Sequence, residues 1–393
     1  MGAQIDGAVS RSLGKRTMAI TRIGQRRPRG NLALLAGSTA IAFLVAEVGG
    51  RMWLDHLASP EAYAELALFA DVPAEKRQWS PHHYLDYYPT PNYRKGGTHH
   101  NSLGYRGEEF TREKPEGVFR IVAIGGSSVY TITVEDDAET FPAQLQTVLR
   151  ERYGHERVEV INAGVGGFNS WESLIDLEFR VLDLDPDLIV VYHGVNDVHA
   201  RLVSPAGAYR SDNSGRRRQW SAPPVSLLER SCFLRILGRK LGVFRQVELG
   251  SFVNAPTFVG GGSRRLAPPD ELDRLLAHNP PVFFRRNLIS TLAVARAHGV
   301  AVLFATFAYC PHFDKIQSQE AYQRGYAEMN DTVVEVGERY QVPVFPFAER
   351  MPQDAEYWSD SVHVNEKGAV RKAELFAEFI DEQGLMTTAG PRQ

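Results

Sequence analysis

The sequence is poor in the residues and spacings that many classes of binding site require. Its 393 residues contain two cysteines, Cys232 and Cys310, so a disulfide-stapled scaffold is excluded and a bond between these two stays open. No Cys/His spacing suggests zinc, and the adjacent histidine pairs at 82–83 and 99–100 cannot share one face of a helix or strand. The lysine-bearing phosphate loop and a full dinucleotide fingerprint are also missing. We therefore expect neither a metal nor a cofactor.

Charge is distributed unevenly along the chain. The formal net charge is −3 at pH 7. Residues 1–30 carry seven Lys or Arg and one Asp, a charge of +6, so the remainder carries −3 − 6 = −9. A basic tail beside an acidic body argues against nucleic acid as the main ligand of the body.

An uncharged apolar run follows the basic tail. It extends from Leu32 to Ala46 and continues past Glu47 and Arg51 to Leu54. A bilayer span needs about 20 apolar residues, so the uncharged part alone is short. The longer stretch is sufficient if the two charged residues lie near the far interface.

This run predicts a transmembrane signal anchor over residues 31–54. The basic residues before it would stay in the cytoplasm and leave residues 55–393 outside, by the positive-inside rule. A cleaved signal peptide is the competing interpretation, but no clear small-x-small cleavage site follows Ala46. A buried helix of a soluble protein is the third possibility.

From Phe119 onward the chain alternates predicted strands and helices. The predicted strands are Arg120–Ile124, Val158–Ile161, Leu188–Tyr192, Val300–Phe307 and Val342–Phe347. The predicted helices are Thr140–Tyr153, Ser170–Leu184, Leu288–His298, Glu320–Tyr340 and Asn365–Glu382. This alternation predicts an α/β fold, a parallel sheet with helices on both faces that binds ligands at the carboxyl ends of its strands.

Two further segments accompany the predicted main domain over residues 119–385. Residues 55–118 are rich in aromatic residues and proline, so we expect them to pack onto the domain and consider a role as a substrate-groove wall. Residues 200–285 interrupt the strand–helix pattern as an insertion. Within it, residues 216–218 are three arginines, for which a solvated loop is the simplest interpretation.

A helix in this insertion has an amphipathic pattern. Apolar residues share one face and two arginines lie opposite: Phe233, Leu237, Leu241 and Phe244, against Arg235 and Arg239. The simpler interpretation packs the apolar face on the body. The alternative is a lid or a helix on a membrane surface.

Four segments supply the parts needed for acyl transfer through a serine ester. In chain order they are Gly125-Gly126-Ser127-Ser128, Asn162-Ala163-Gly164-Val165-Gly166-Gly167, Gly194-Val195-Asn196-Asp197 and Asp360-Ser361-Val362-His363. Ser127 is the candidate nucleophile, exposed by a glycine turn after a strand. Gly167 and Asn196 are candidate oxyanion donors.

Asp360 and His363 form the candidate base pair. On a helical turn their spacing puts both side chains on one side, so the carboxylate can orient the imidazole. Each segment alone has a plainer explanation, such as a helix cap or a surface histidine. We expect Asp197 to brace its loop rather than to act as a base.

These blocks resemble the SGNH (GDSL-type) hydrolase superfamily over residues 119–385. The resemblance implies a flavodoxin-like three-layer α/β/α sandwich with a five-stranded parallel sheet. It implies Ser127 as nucleophile, His363 as base and Asp360 as its partner. The implied oxyanion hole combines the N–H groups of Ser127 and Gly167 with the Asn196 side chain. One departure is Gly126, where the family name has Asp.

The sequence leaves three functions open. The first is a membrane-anchored serine esterase acting outside the cytoplasm on a small-molecule, lipid or glycan ester. The second is an O-acetyltransferase of envelope polysaccharide, which would use the same acyl-serine and an acyl-donor partner in the envelope. The third is a catalytically silent glycan-binding protein, against which the complete set of catalytic positions argues.

Overall fold

The computed structural model describes residues 28–68, 72–73, 77–216, 225–244 and 268–386. The predicted cytoplasmic tail lies outside the described residues except for its last three. Two of the three arginines at 216–218 also lie outside them.

The described chain contains helices of four to 29 residues and mostly short strands. The helices are α1 Pro28–His56, α2 Pro60–Leu66, α3 Ser127–Tyr130, α4 Phe141–Glu151, α5 Ser170–Asp176, α6 Val195–Arg201, α7 Cys232–Lys240, α8 Leu272–His278, α9 Val282–Ala297, α10 Glu320–Tyr340, α11 Phe347–Arg350 and α12 Glu366–Glu382. The strands are β1 Trp79–His82, β2 Asp86–Pro89, β3 Arg94–Lys95, β4 Thr98–His99, β5 Phe119–Gly125, β6 Val158–Gly164, β7 Leu188–Tyr192, β8 Ala301–Ala305 and β9 Val344–Phe345.

A five-stranded sheet in the order β6-β5-β7-β8-β9 forms the centre of the molecule, and all its strand pairs are parallel. Every residue of β5 and β7 is buried, as expected of strands covered on both faces. The flanking helices pack in two groups, α4 with α12, and α9 with α5 and α10. The predicted α/β fold with a five-stranded parallel sheet and flanking helices is therefore confirmed.

The predicted helix Ser170–Leu184 is α-helical only to Asp176 and continues as π- and 3-10-helical turns. Prolines account for two other differences from the predicted boundaries. The last strand is reduced to Val344–Phe345 because Pro343 and Pro346 flank it and cannot donate to a sheet. Helix α9 begins at Val282, well before the predicted Leu288, directly after Pro281. Proline favours helix starts because its missing N–H is not needed there.

Helix α1 is longer than the predicted anchor and includes it. Its residues Gly30–His56 contain an 18-residue window of mean hydropathy 1.9, none of it buried. By length and composition this helix can cross a membrane, and a signal sequence would pass the same test. It is the one such helix among the described residues.

The aromatic segment before β5 packs onto the body, as its composition predicts. It forms two short antiparallel hairpins, β1–β2 and β3–β4. Trp79 and Tyr87 join Tyr130 and Phe168 of the body in one buried cluster. The Arg106 side chain anchors the segment further, because its Nη1 donates to the Tyr130 carbonyl oxygen at 3.0 Å.

In the insertion one prediction was wrong, and one of the two open interpretations of α7 does not fit. Arg216 is buried rather than solvated, and its Nη1 donates to the Asn196 carbonyl oxygen at 3.1 Å. Helix α7 buries Arg235 and Arg239 and exposes Leu237, the reverse of packing through its apolar face. The open question of a disulfide is answered as well, since Cys232 and Cys310 are both buried and free.

Candidate active site

Three parallel strands end at the same level and bring distant segments together. Gly125 at the end of β5 is paired with Gly164 of β6 and with Tyr192 of β7. The loops that leave these ends are therefore neighbours at one edge of the sheet. They contain the predicted site residues Ser127, Gly167 and Asn196.

Ser127 follows a turn in which Gly125 and Gly126 cannot be replaced by larger residues, because neighbouring atoms leave no room for a Cβ. A Cβ on Gly125 would lie 2.3 Å from the Tyr192 carbonyl oxygen. A Cβ on Gly126 would lie 2.7 Å from Asn196 Nδ2 and 2.9 Å from the Phe168 carbonyl oxygen. The departure at Gly126 thus has a steric reason, because Asn196 occupies the space that a side chain there would need.

The Ser127 hydroxyl faces the predicted histidine. The Ser127 Oγ lies 2.7 Å from His363 Nε2, and His363 Nδ1 lies 2.8 Å from Asp360 Oδ2. An ionised carboxylate can only accept, so His363 carries its proton on Nδ1 and Nε2 accepts from the serine hydroxyl. The three groups form a continuous hydrogen-bonded chain.

Asp360 and His363 lie in a loop of bends, and not on the helical turn expected from their spacing. Asp360 Oδ1 accepts hydrogen bonds from the backbone N–H groups of Val362 and His363, both at 2.9 Å. Burial opposes ionisation of this carboxyl, but its hydrogen bonds and the His363 charge prevail, so the pKa of Asp360 lies below its ordinary value. The loop is therefore built around a carboxylate that stays ionised.

The candidate oxyanion donors line the same cavity as Ser127. Ser127 is the first residue of α3, where backbone N–H groups have no acceptor within the helix. Gly167 has a φ of 82°, a conformation that favours glycine. One N–H of the Asn196 amide donates to the Phe168 carbonyl oxygen at 2.9 Å, which fixes the orientation of the amide.

Asp197 supports this loop through Ser170. The Ser170 Oγ donates to Asp197 Oδ1 at 2.6 Å, and the Ser170 N–H lies 3.2 Å from each carboxylate oxygen. Burial is the main cause that raises the pKa of Asp197 to about 7, against the Ser170 hydrogen bonds. These contacts agree with the expected bracing role.

Two contacts join the turn at Gly125–Ser128 to the loop at Asp360–His363 and to α12. The Ser128 Oγ donates to the Val362 carbonyl oxygen at 3.1 Å, so the second serine of the motif is already engaged. The Lys372 ammonium donates to the Ser128 carbonyl oxygen at 3.0 Å and lies 3.8 Å from the centre of the Tyr192 ring. The amino-acid sequence does not single out Lys372, because the position of a lysine in a predicted helix does not reveal which segment its side chain contacts.

A cavity of about 180 Å³ opens at these groups. The predicted site residues Ser127, His363, Gly167 and Asn196 line this cavity. Its other lining residues are Trp79, Ile132, Gly166, Val195, His199, Gln317 and Val362. Trp79 comes from the aromatic segment before β5, so this segment does provide a wall of the cavity. The sequence pointed to the segment but could not single out this tryptophan.

His199 is a cavity residue that the sequence reasoning missed. Its Nδ1 lies 3.4 Å from Arg216 Nη2, which can only donate, so the proton of the neutral ring is on Nε2. Burial first, and then the charges of Arg216 and His363, lower the pKa of His199 well below its ordinary value. Nε2 has no partner among the described residues. The cavity wall thus contains a neutral imidazole donor two residues after Asp197.

No group of three or more His, Cys, Asp or Glu side chains suited to a metal occurs in the described parts of the chain. The adjacent histidine pairs instead make ordinary protein contacts. His99 Nδ1 lies 3.1 Å from Asp137 Oδ2, and His100 Nε2 lies 2.8 Å from the Tyr130 hydroxyl.

Comparison with known proteins found one family model and several solved structures to which the chain is similar. Residues 123–371 match the model of the GDSL-like Lipase/Acylhydrolase family. Among solved structures, a lipase/acylhydrolase from Enterococcus faecalis is similar at 19% identity over 68% of this chain and 97% of that chain, with a TM-score of 0.41. A GDSL-like lipase from Bacteroides thetaiotaomicron is similar at 15% identity over 67% and 88%, with a TM-score of 0.38. No curated protein matches the chain.

Proposed function

The chain belongs to the GDSL-like lipase/acylhydrolase family and hydrolyses ester bonds, and we propose that Ser127, His363 and Asp360 perform this reaction as a catalytic triad. The observation that carries the proposal is the hydrogen-bonded chain from Ser127 Oγ through the imidazole to Asp360 Oδ2. A general base within hydrogen-bonding reach of a hydroxyl, itself oriented by a carboxylate, is the arrangement that activates a serine.

In this mechanism the first half-reaction forms an acyl-serine. The Ser127 Oγ attacks the ester carbonyl carbon while His363 Nε2 takes the hydroxyl proton. The negative charge that develops on the carbonyl oxygen is stabilised by the N–H groups of Ser127 and Gly167 and by the Asn196 amide. His363 then gives its proton to the departing alcohol, and the acyl group stays on Ser127.

The second half-reaction restores the serine. A water molecule gives a proton to His363 Nε2 and attacks the acyl carbon, and the same donors stabilise the second oxyanion. When the intermediate collapses, the proton returns to Ser127 Oγ and the carboxylic acid leaves. Throughout, Asp360 keeps the imidazole in the required tautomer and stabilises its charged form.

The cavity favours an ester with a short or medium apolar group. Its volume is about 180 Å³. Trp79, Ile132, Val195 and Val362 provide apolar walls next to Ser127. We therefore propose that the preferred acyl chain is short or medium and not that of a long fatty acid.

We also propose that α1 anchors the enzyme in a membrane with the catalytic body outside the cytoplasm. The support is the apolar stretch Gly30–His56 and the basic residues that precede it. The three triad residues all follow Phe119, so the anchor contributes no group to the triad.

An ester panel with acyl chains of two to 16 carbons, together with acetylated sugars, tests the proposed function on the purified full-length protein. We expect hydrolysis with a maximum at short to medium chains and its loss in Ser127→Ala. The matched control is Ser128→Ala, whose hydroxyl bonds to Val362 and not to the imidazole, and which should keep most of the activity. Undiminished hydrolysis by Ser127→Ala would exclude this nucleophile. Formation of acylated sugar in place of free acid would show the transferase reaction instead.

A further inference from the structure

The surface around α7 is apolar, although it belongs to the body of the protein. Its exposed apolar residues have exposed fractions between 42% and 80% and are Leu227, Leu228, Leu237, Leu241 and Val243. Helix α1 carries the other concentration of exposed apolar side chains, while those on the remaining described surface are scattered. Contiguous exposed apolar surface of this kind marks an interaction site.

The side of α7 that faces the protein contains two arginines beside Cys232 and Ile236, which pack in an apolar cluster with α1 and α2. Arg235 is buried, and its guanidinium donates to the carbonyl oxygens of Leu66 at 2.7 Å and of Glu229 at 2.6 Å. Arg239 is buried as well and donates to the carbonyl oxygen of Glu65. A surface helix of a water-soluble protein turns its apolar side inward. The buried arginines and exposed leucines of α7 reverse part of that arrangement, which indicates that the outer side of α7 contacts an apolar medium.

Helix α7 is fixed directly to α1. The Glu47 carboxylate accepts hydrogen bonds from the backbone N–H groups of Cys232 and Phe233, both at 3.0 Å, and from the Ser231 hydroxyl at 2.7 Å. A carboxylate at a helix N-terminus satisfies N–H groups that have no partner within the helix and interacts favourably with the helix dipole. Closer to the N-terminus of α1, the ring of Phe43 contacts the ring of Phe233 edge to face. The position of α7 along α1 is therefore defined.

That position coincides with the end of the uncharged part of α1. The stretch from Gly30 to Ala46 contains no charged residue and is about 25 Å long at ~1.5 Å per residue. The hydrocarbon core of a bilayer is about 30 Å thick. Glu47, and with it the start of α7, then lies at the boundary of the hydrocarbon core.

Two exposed cations complete the pattern. Arg230 lies two residues before the start of α7 and Lys240 ends the helix, and both are exposed. An amphipathic helix in the membrane interface combines an apolar side with basic residues that meet anionic headgroups. The surface of α7 has both properties.

We propose that α7, with Leu227 and Leu228, lies in the interfacial layer of the bilayer that α1 spans, with Leu237 and Leu241 directed toward the acyl chains. This inference depends on the proposed membrane anchor. The body is then held against the membrane at two places, by a spanning helix and by an interfacial helix. Such an enzyme is kept at a fixed height above the bilayer surface.

Spin labels on the full-length chain in vesicles that contain anionic lipid test the inference. Cysteines are introduced one at a time as Leu241→Cys, Ile41→Cys on α1 and Val370→Cys on α12, all at exposed positions. The native Cys232 and Cys310 are buried, and the wild-type protein shows whether they react. Relaxation by oxygen, which concentrates in lipid, is compared with relaxation by a water-soluble nickel chelate. We expect the label at position 241 to favour oxygen as at position 41, and the label at position 370 to favour nickel.

The outcomes separate this inference from the anchor on which it rests. If the label at position 41 favours oxygen and the label at position 241 favours nickel, the anchor stands and the interfacial helix is excluded. If both favour nickel, α1 does not span the bilayer and both proposals fail. If oxygen and nickel are both excluded at position 241, another protein or a second copy covers α7, which also contradicts the proposal. Leu237→Cys repeats the measurement one helical turn away.

Discussion

At the scale of single residues, the ionised state of Asp360 determines how the reaction should depend on pH. The pKa of Asp360 is below its ordinary value, because hydrogen bonds from His363 and the Val362 N–H outweigh burial. The favourable contribution of this carboxylate is thus present above the ordinary pKa of an aspartate and is lost only in strong acid. Above that range Asp360 keeps its charge and continues to orient the imidazole of His363.

We therefore predict that kcat/KM falls toward acid pH with a limiting slope of one. His363 must be neutral to accept the serine proton, so each enzyme molecule is inactivated by one proton. The measurement is a pH profile of kcat/KM with a short-chain ester between about pH 4 and 9. A limiting slope of two would mean that protonation of a second carboxylate, such as Asp197 with its pKa of about 7, also inactivates the enzyme.

Asn196 should act on the rate and not on substrate binding. Its amide is oriented by the Phe168 carbonyl oxygen, and removal of one oxyanion donor typically costs about 100-fold to 1,000-fold in kcat. We predict a loss of this size in Asn196→Ala with little change in KM. Asn196→Asp keeps the size but removes the donor, so it should lose a comparable amount. An unchanged kcat with a raised KM would make Asn196 a binding residue.

At the scale of structural elements, the turn between β5 and α3 has no room for side chains. A Cβ at Gly126 would lie 2.7 Å from Asn196 Nδ2 and 2.9 Å from the Phe168 carbonyl oxygen. We predict that Gly126→Ala lowers the stability by about 1–3 kcal/mol, as overpacking does, and lowers kcat by displacing Asn196. Thermal unfolding and kinetics measure the two effects.

The control for this variant is Gly207→Ala. A Cβ at Gly207 has no heavy atom within 4 Å, so its substitution should leave the melting temperature and the kinetics unchanged. If Gly126→Ala behaves like Gly207→Ala, Asn196 does not depend on the glycine turn.

The sequence predicted the elements well where a simple pattern determines them. Buried strands such as Leu188–Tyr192 are continuous apolar runs, and Glu320–Tyr340 was located to the residue. Proline context shortened β9, which the apolar pattern alone could not show.

The site was predictable in part for the same reason. Ser127, Asn196, Asp360 and His363 lie in short motifs next to strand ends or before the last helix. Trp79 was not identifiable, because its place in the cavity depends on how a hairpin packs on the body.

At the scale of the whole molecule, the proposed anchor α1 separates the catalytic body from the basic tail, so that the two lie on opposite sides of a membrane. Seven basic residues precede α1, and basic residues stay on the cytoplasmic side. We predict that a reporter fused after Gln393 is active only outside the cytoplasm. A reporter that is active only inside would reverse the topology, and a mature chain that begins beyond about residue 40 would show a cleaved signal sequence.

The proposed mechanism requires an acyl group bound covalently to Ser127, and mass spectrometry of the trapped intermediate detects that group. The full-length enzyme is mixed with a short-chain aryl ester, quenched in acid within a turnover, digested and mapped. We predict that the peptide containing Ser127 is heavier by the mass of the acyl group. Fragmentation should locate the acyl group on Ser127 and not on Ser128. The modification should be absent from Ser127→Ala. An acyl group found on another residue, or hydrolysis at the normal rate in Ser127→Ala, would contradict the account.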